Sequence, residues 1–305
     1  MPELPEVETI KNGLLKTIKG RTIKSVEVRL PKIISIGPAT VSNIRKNNKS
    51  KARLFEDVLR GKKIEGIKRR AKMFIISLSG GYDILIHLKM TGQLIYSAPK
   101  EKPKTVKMFN AANSRILTLP HKYTHVIFYF TDGARLYFND LRQFGYLRLV
   151  KRGELSEVRE LQQYGPEPFS KDFTMDYLAG KMKTRPRLSV KQFLVEPKVV
   201  AGVGNIYSDE ILYCAKVQPD RKVGSLKPAE KKALFQCIPR ILKEGVAHHG
   251  SSVGDYFQVD GSEGTYGRIH RVYAKAGQLC RECGTMIKSV KLGGRTSSYC
   301  PVCQK

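Results

Sequence analysis

Four cysteines near the C-terminus constrain this chain more tightly than any other feature. Cys280, Cys283, Cys300 and Cys303 are spaced C-x2-C-x16-C-x2-C. Each pair can supply two thiolates from one tight turn, and two such turns complete a tetrahedral shell of four sulfurs. Paired C-x2-C motifs in an intracellular chain favour a metal over disulfides. No fifth ligand or open position accompanies them, so the spacing predicts one structural Zn2+. Between the pairs, "KLGGRTSSY" puts two glycines at a hairpin tip. Residues 269–305 are therefore expected to form a zinc-finger β-hairpin that presents Arg295 outward, either as a solvent arginine or, on so basic a ribbon, against an anion. Cys214 and Cys237 stand alone in helical patterns and are expected as buried thiols.

The remainder divides by periodicity. Val7, Ile10, Leu14 and Ile18 mark one face of a leading helix, with Pro5 in its first turn, Glu6 and Glu8 at its positive end and Gly20 at its stop. Residues 22 to about 150 read as short antiparallel strands, with hairpins at Gly80-Gly81 and Asp132-Gly133. Residues 1–150 are thus expected to be a β-sandwich domain behind one helix, with a polar, lysine-rich surface insertion at 95–120. Residues 151–170, interrupted by glycine and prolines, read as a linker. From 171 to 268 the pattern is helical, at 173–183, 188–196, 206–216 and 228–246, with Pro239 expected to kink the last. The fold class is α+β and multi-domain.

Between the second and third of these helices lies "EPKVVAGVGN". It follows a helix rather than a strand, so it is not a dinucleotide fingerprint. A helix–turn–helix reading fits, with Asn205 opening a helix whose free N–H groups can hold a phosphate. On the residues alone a plain helical hairpin is equally open.

The 305 residues are 41% hydrophobic and carry a net charge of +28. That composition builds a core and excludes a disordered chain. No apolar run is long enough to span a bilayer, and the acidic start lacks the apolar core of a secretory signal, so a cytoplasmic protein is expected. The charge implies a polyanionic partner, nucleic acid being the commonest, against the alternative of a merely solvated basic surface. Runs such as "RKNNKSKAR", "GIKRRAK" and "PKEKPKTVK" spread it over several loops.

Seven segments occur in order: "MPELPEVET", "RRAK", "HLKMTG", "FNDLRQFG", "YGPEP", "VAGVGNIYSDE" and the four-cysteine ribbon. In these the chain closely resembles the formamidopyrimidine-DNA glycosylase and endonuclease VIII family, from residue 2 to 304, with extra length near 31–55 and 95–120. The resemblance implies a helix–two-turn–helix unit, a zinc finger and repair of oxidised bases in double-stranded DNA, including abasic sites, by a monomer. Removal of Met1 would leave Pro2 a secondary amine, whose α-amino group titrates near ~8 and is partly neutral at pH 7. Its attack on C1′ gives an iminium that cannot lose a proton to become a neutral imine, and so stays an electron sink for β-elimination.

The matching glutamate, Glu3, is implied as proton donor to the sugar ring oxygen, and Glu6 is expected to anchor the terminus through backbone N–H groups rather than to act in catalysis directly. Lys72 matches the lysine assigned to β-elimination and phosphate binding. Arg295 matches the finger arginine credited with δ-elimination and phosphate contact, and Asn205 a phosphate-binding asparagine. Met90, Arg142 and Phe144 match residues that fill the void left by a flipped base. Tyr123, His125, Arg187 and Lys191 fall at further DNA-contacting positions.

Departures are Lys89 where glycine is usual, Leu141 and Gln143 where proline and arginine are usual, Tyr123 for a histidine, and Glu196-Pro197 for Asp-Gln or Asp-Asn. "PELPEVET" and "GSSVGDYFQVDGSEGTYG" resemble the purine-specific branch, in which a glycine-rich loop closes over 8-oxoguanine. The expected activity is that of a bifunctional glycosylase and AP lyase acting by β,δ-elimination. The alternatives are a pyrimidine-specific, endonuclease VIII-like enzyme and a non-catalytic zinc-ribbon DNA-binding protein.

Overall fold

The leading apolar stripe forms α1 (Leu4–Thr17), with Val7, Ile10, Leu14 and Ile18 fully buried and Gly20 turning the chain at φ +84°. The computed structural model describes residues 1–38, 47–110, 113–254 and 256–305. Backbone contacts divide them into two units: Met1–Pro2, Glu6–Gln162 and His249–Thr265 in the first, and Glu3–Pro5, Gln163–His248 and Tyr266–Lys305 in the second.

The first unit is a β-sandwich. One sheet runs β1 (Ile23–Val28), β9 (Thr124–Phe130), β10 (Arg135–Asp140), β6 (Gly92–Ser97), all antiparallel. The other runs β2 (Ile34–Ile36), β11 (Tyr146–Lys151), β5 (Tyr82–His87), β4 (Met73–Leu78), β3 (Ile64–Arg70), with β2 and β11 parallel. Val126, Phe128 and Phe138 from one sheet and Phe74, Ile86 and Leu147 from the other share one core with α1. Residues 249–265 join this unit, Tyr256 and Val259 completing its core.

One element here differs from the all-β expectation. α2 (Lys49–Leu59) is a helix, capped by Asn48 accepting from the Lys51 N–H at 2.9 Å. Its Ala52, Phe55 and Leu59 fall on one buried face, a helical spacing masked by the surrounding basic residues. The lysine-rich insertion contains a hairpin of its own, β7 (Thr105–Asn110) paired with β8 (Asn113–Thr118). The extra length near 31–55 lies partly outside the described residues, at 39–46.

After a 3-10 turn (Arg152–Glu157) and α3 (Arg159–Gln162), the second unit packs α4 (Met175–Lys183), α5 (Val190–Val195), α6 (Asn205–Cys214) and α7 (Pro228–Ala247) around Phe193, Tyr207, Ile211, Ile238 and Leu242. Thr174 caps α4, and Ser189 with Gln192 forms a capping box on α5. α7 contains Pro239 and continues past it. A Cβ on Gly245 would lie 2.7 Å from the Tyr207 hydroxyl, so glycine there lets α6 and α7 approach. Cys214 and Cys237 are not free thiols: they form a disulfide across these two helices, with Cα atoms 6.0 Å apart. Each lies on its own helix, and only the packing of α6 on α7 makes them a pair. β12 (Lys288–Leu292) and β13 (Arg295–Tyr299) form the C-terminal hairpin. No helix of the described residues is long and apolar enough to cross a membrane.

Candidate functional site

The glycine turn 196–205 exists to receive the chain's own start. Glu3 is 2% exposed, and its carboxylate accepts the N–H groups of Gly204 (2.6 Å), Ile206 (2.8 Å) and Tyr207 (3.3 Å). The N-cap of α6 is Gly204, which has no side chain to satisfy these donors, and Glu3 supplies the acceptor. Leu4 follows, its N–H donating to the Gly202 carbonyl at 3.0 Å. A Cβ on Gly204 would lie 2.6 Å from Glu3 Oε1, and one on Gly202, which is at φ +86°, 2.5 Å from the Leu4 Cβ. Both glycines are therefore required by close approach. Glu3 thus takes the Gly204, Ile206 and Tyr207 N–H groups, donors at the helix start that were expected to be free for a phosphate. Pro2 is buried and Met1 is 46% exposed. In the first unit Glu6 accepts the Ser251 N–H at 2.8 Å, the backbone anchor expected of it.

In the second unit, α6 carries two buried carboxylates. Asp209 is 1% exposed and gathers three donors: the Lys191 ammonium at 2.6 Å, the Ser298 N–H at 2.9 Å and the Ser297 hydroxyl. Burial pushes the Asp209 carboxyl up and pulls the Lys191 ammonium down, with the ion pair opposing both. Lys191 also donates to the Asn205 carbonyl at 2.9 Å, so this expected DNA contact lies inside the unit, 1% exposed. Glu210 is fully buried and accepts the N–H groups of Arg271, Val272 and Tyr273 at 2.9–3.0 Å. Asn205 donates through Nδ2 to the Thr296 carbonyl at 3.2 Å. Arg295 is exposed at the hairpin tip, after Gly293 and Gly294 at φ +54° and +77°. It borders an open cleft of about 280 Å³ with Lys191, Gln192, Glu196, Pro197 and Gly293. Arg187 is exposed.

The four cysteine sulfurs of this unit lie within 4.8 Å of one another, with Cys280–Cys303 at 3.9 Å and Cys283–Cys300 at 3.4 Å. Four thiolates about 2.3 Å from a common centre need sulfur separations near 3.8 Å, so the set fits tetrahedral Zn2+. The Tyr213 hydroxyl lies 3.3 Å from Cys280 Sγ, and the Cys303 N–H points at Cys300 Sγ at 3.4 Å, the outer contacts expected around such a centre.

In the first unit, Lys72 ends the β3–β4 turn beside Ala71, which is at φ +53°. Burial first, then the charges of Lys89 and Lys72, hold the buried His87 well below the usual histidine range. Met90, Arg142 and Phe144 occupy two neighbouring loops and are exposed, Met90 by 40% and Phe144 by 52%, with the Arg142 guanidinium 4.8 Å from the Phe144 ring centroid. Asp140, fully buried, ties those loops together. It accepts the Thr91 hydroxyl, the Arg142 N–H at 3.2 Å and the Gly145 N–H at 2.7 Å. His125 is 4% exposed, and its Nε2 lies 2.7 Å from the Asp140 carbonyl, so it supports the loop from inside. The half-buried Tyr123 donates its N–H to His121 Nδ1 at 3.1 Å.

Residues 1–147 match the family model described as the formamidopyrimidine-DNA glycosylase N-terminal domain, and 164–256 match its H2TH domain. Residues 277–305 match a zinc finger found in FPG and IleRS. A formamidopyrimidine-DNA glycosylase of Carboxydothermus hydrogenoformans is 39% identical over 305 residues, covering all of both chains. The chain belongs to the formamidopyrimidine-DNA glycosylase family. It is a DNA glycosylase of base excision repair with that family's AP lyase activity, and its finger is a structural zinc site. The Pelotomaculum thermopropionicum protein of the same name is 36% identical over 100% of this chain and 99% of its own. Among solved structures, Lactococcus lactis Fpg in complex with DNA containing an abasic site superposes with a TM-score of 0.83 at 30% identity, covering 99% of each chain. The same organism's wild-type Fpg with DNA containing N7-benzyl-Fapy-dG gives 0.82 at 29%, covering 100% of each.

Two of the departures from the glycosylase pattern, Lys89 and Glu196-Pro197, find local explanations. Lys89 and Gln143 both adopt positive φ, +52° and +56°, so the backbone at 89 keeps a conformation that suits the usual glycine. Glu196 forms a paired contact with Arg185, at 2.7 and 3.1 Å, and Pro197 still offers its carbonyl to the Gly165 N–H at 2.8 Å. Asp140, Asp209 and Glu210 were not singled out from sequence. The available signal was two adjacent acids inside "NIYSDEILYC", a helix otherwise too apolar to be exposed.

Proposed function

We propose that this chain excises oxidised purines, 8-oxoguanine and formamidopyrimidines, from duplex DNA and then cuts both flanking phosphates. Pro2, freed by removal of Met1, attacks C1′ of the damaged nucleotide, and the N-glycosidic bond breaks with its electron pair leaving on the base. Glu3 takes the proton that the Pro2 nitrogen sheds on attack and delivers it to the ring oxygen, so the sugar opens to an iminium on Pro2, and the expelled base takes up a proton from water. Loss of the C2′ proton and rupture of the C3′–O bond then expels one phosphate, with Lys72 assisting. Loss of the C4′ proton and rupture of the C5′–O bond expels the other, with Arg295 bearing on its charge. Met90, Arg142 and Phe144 fill the place of the flipped base, and Arg187, Lys191 and Asn205 support the DNA-facing side of the helical unit. Bound Zn2+ supplies no chemistry to these steps; it closes the ribbon that carries Arg295. The net charge of +28 supports binding to DNA, and we propose the cytoplasm as the place where it does so.

The observation that carries this reading is the triple backbone grip on Glu3. It fixes the residue next to Pro2 in one place, which a merely frayed terminus would not need. Borohydride trapping on an 8-oxoguanine:C duplex tests it. A covalent adduct is expected for the wild type and none for Pro2→Gly. Absence of a wild-type adduct, or its persistence in Pro2→Gly, overturns the reading. Faster excision of thymine glycol than of 8-oxoguanine would overturn the choice of purines.

A further inference from the structure

We infer that Asp209 is a positioning residue for the second elimination, through the hairpin that bears Arg295; the inference rests on the catalytic reading above. Arg295 sits at a two-glycine tip with an exposed side chain, and nothing about a β-hairpin of two short strands fixes where such a tip points. The second unit fixes it from one buried point. Asp209 takes the Ser297 hydroxyl and the Ser298 N–H, on the same strand as Arg295 and two and three residues beyond it. The same carboxylate takes Lys191 from α5. One side chain thus joins α5, α6 and β13.

Two weaker contacts share the load. Asn205 donates to the Thr296 carbonyl, and a Cβ on Gly293 would lie 2.9 Å from Gln192 Nε2, so the tip already rests against α5. Ser297 and Ser298 are 1% and 5% exposed, so neither hydroxyl nor amide can exchange its partner for bulk water without opening the strand. The zinc holds the far end of the ribbon, where Cys300 begins the second cysteine pair. Asp209 holds the near end.

The step that depends on this geometry is the second elimination. There the C4′ proton passes to water and the C5′–O bond breaks, with its electron pair leaving on the phosphate whose charge Arg295 faces. Attack by Pro2 and the first elimination break the N-glycosidic and C3′–O bonds, not the C5′–O bond assigned to Arg295. Loosening the hairpin should therefore separate the two eliminations rather than slow everything.

The test is a 5′-labelled duplex with a single 8-oxoguanine, on which the two products differ by an unsaturated sugar remnant against a terminal phosphate. Wild type, Asp209→Asn, Ser297→Ala and Arg295→Ala are compared, with borohydride trapping and zinc content measured alongside. Asp209→Asn is expected to raise the ratio of first- to second-elimination product at least fivefold, with Ser297→Ala in between and Arg295→Ala highest. In Asp209→Asn and Ser297→Ala, trapping should stay within twofold of wild type and zinc at one per chain. An unchanged product ratio in Asp209→Asn overturns the inference. So does a parallel loss of trapping and zinc, which would make Asp209 a residue of general stability; Ser297→Ala, the milder change, guards against a variant that fails to fold. A wild type that traps no adduct overturns the catalytic reading and this inference together, whereas normal trapping with an unchanged ratio overturns this inference alone.

Discussion

Glu3 and Gly204 stand 201 residues apart in the chain, and the carboxylate of one accepts the N–H of the other at 2.6 Å. The start of the protein is thereby a cap for a helix near its end. This is why the glycine-rich turn and the first few residues must be read together.

Gly204→Ala should break that relationship. Its methyl group would lie 2.6 Å from Glu3 Oε1, so the carboxylate must leave the N–H groups or the turn must shift. Overpacking of this kind costs about 1–3 kcal/mol. The rate of borohydride trapping should fall at least tenfold, and the urea midpoint should drop. Unaltered trapping would mean that the position of Glu3 does not matter to the reaction.

A residue retained before Pro2 should abolish trapping altogether, because it converts the secondary amine into an amide with no nucleophilic pair. Protein with and without Met1, separated by mass, provides the comparison on one DNA duplex. Folding should be the same in both.

Asp140→Asn should affect the intact lesion more than the abasic site. It removes one of two acceptor oxygens from a buried hub serving Thr91, Arg142 and Gly145. The loops bearing Met90, Arg142 and Phe144 would lose their fixed spacing. Unstacking a base requires a few kcal/mol, a demand that an abasic site lacks. Excision of 8-oxoguanine should fall about 10-fold or more, of order 1.4 kcal/mol per decade, while incision at a preformed abasic site changes by less than threefold.

Stability should fall on mild acidification, in the histidine range. His270 is 2% exposed, and burial, with the charge of Lys275 adding, lowers it from 6.5 to about 4. Below pH 6.5 the unfolded chain takes up this proton and the folded chain does not, so stability declines from pH 6.5 to about 4 and levels off below. A shift of that size corresponds to about 3 kcal/mol. The urea midpoint measured at half-unit steps of pH should show this slope, and His270→Asn should flatten it.

Removal of zinc should unfold the ribbon selectively. Cys280 and Cys300 are buried with Val272, Ile287 and Tyr213 in a small cluster that has little else to close it, and structural zinc contributes folding energy directly. A strong chelator should release one zinc per chain and expose residues 269–305 to protease. The sandwich core built on Phe74, Phe128 and Phe138 should remain protected.

Much of this was legible in local patterns. Gly80-Gly81 and Asp132-Gly133 punctuate two runs of strand-forming residues, and both became hairpins. The spacing of Cys280, Cys283, Cys300 and Cys303 implied a closed metal site because a turn of two intervening residues is itself the geometry of two ligands. The helix at 49–59 was carried by Ala52, Phe55 and Leu59, but a basic stretch around them concealed the period. The Cys214–Cys237 bond was not legible, since each cysteine alone on a helix face reads as a buried thiol and only the facing of two helices brings the sulfurs together.

The sequence by itself therefore determined most of the elements, the zinc site and the order of the family's motifs, because turns, periodicity and ligand spacing act over a few residues. The tertiary structure decided which acceptor satisfies the Gly204, Ile206 and Tyr207 N–H groups at the start of α6. Any anion can do so, and a phosphate was the natural reading of Asn205 at a helix start. Folding placed Glu3 there instead, because Leu4 docks on Gly202 and leaves the adjacent carboxylate directly before three unpaired donors. It likewise buried Asp209 between Lys191 and Ser298, where a carboxylate is held only by donors that come from distant parts of the chain.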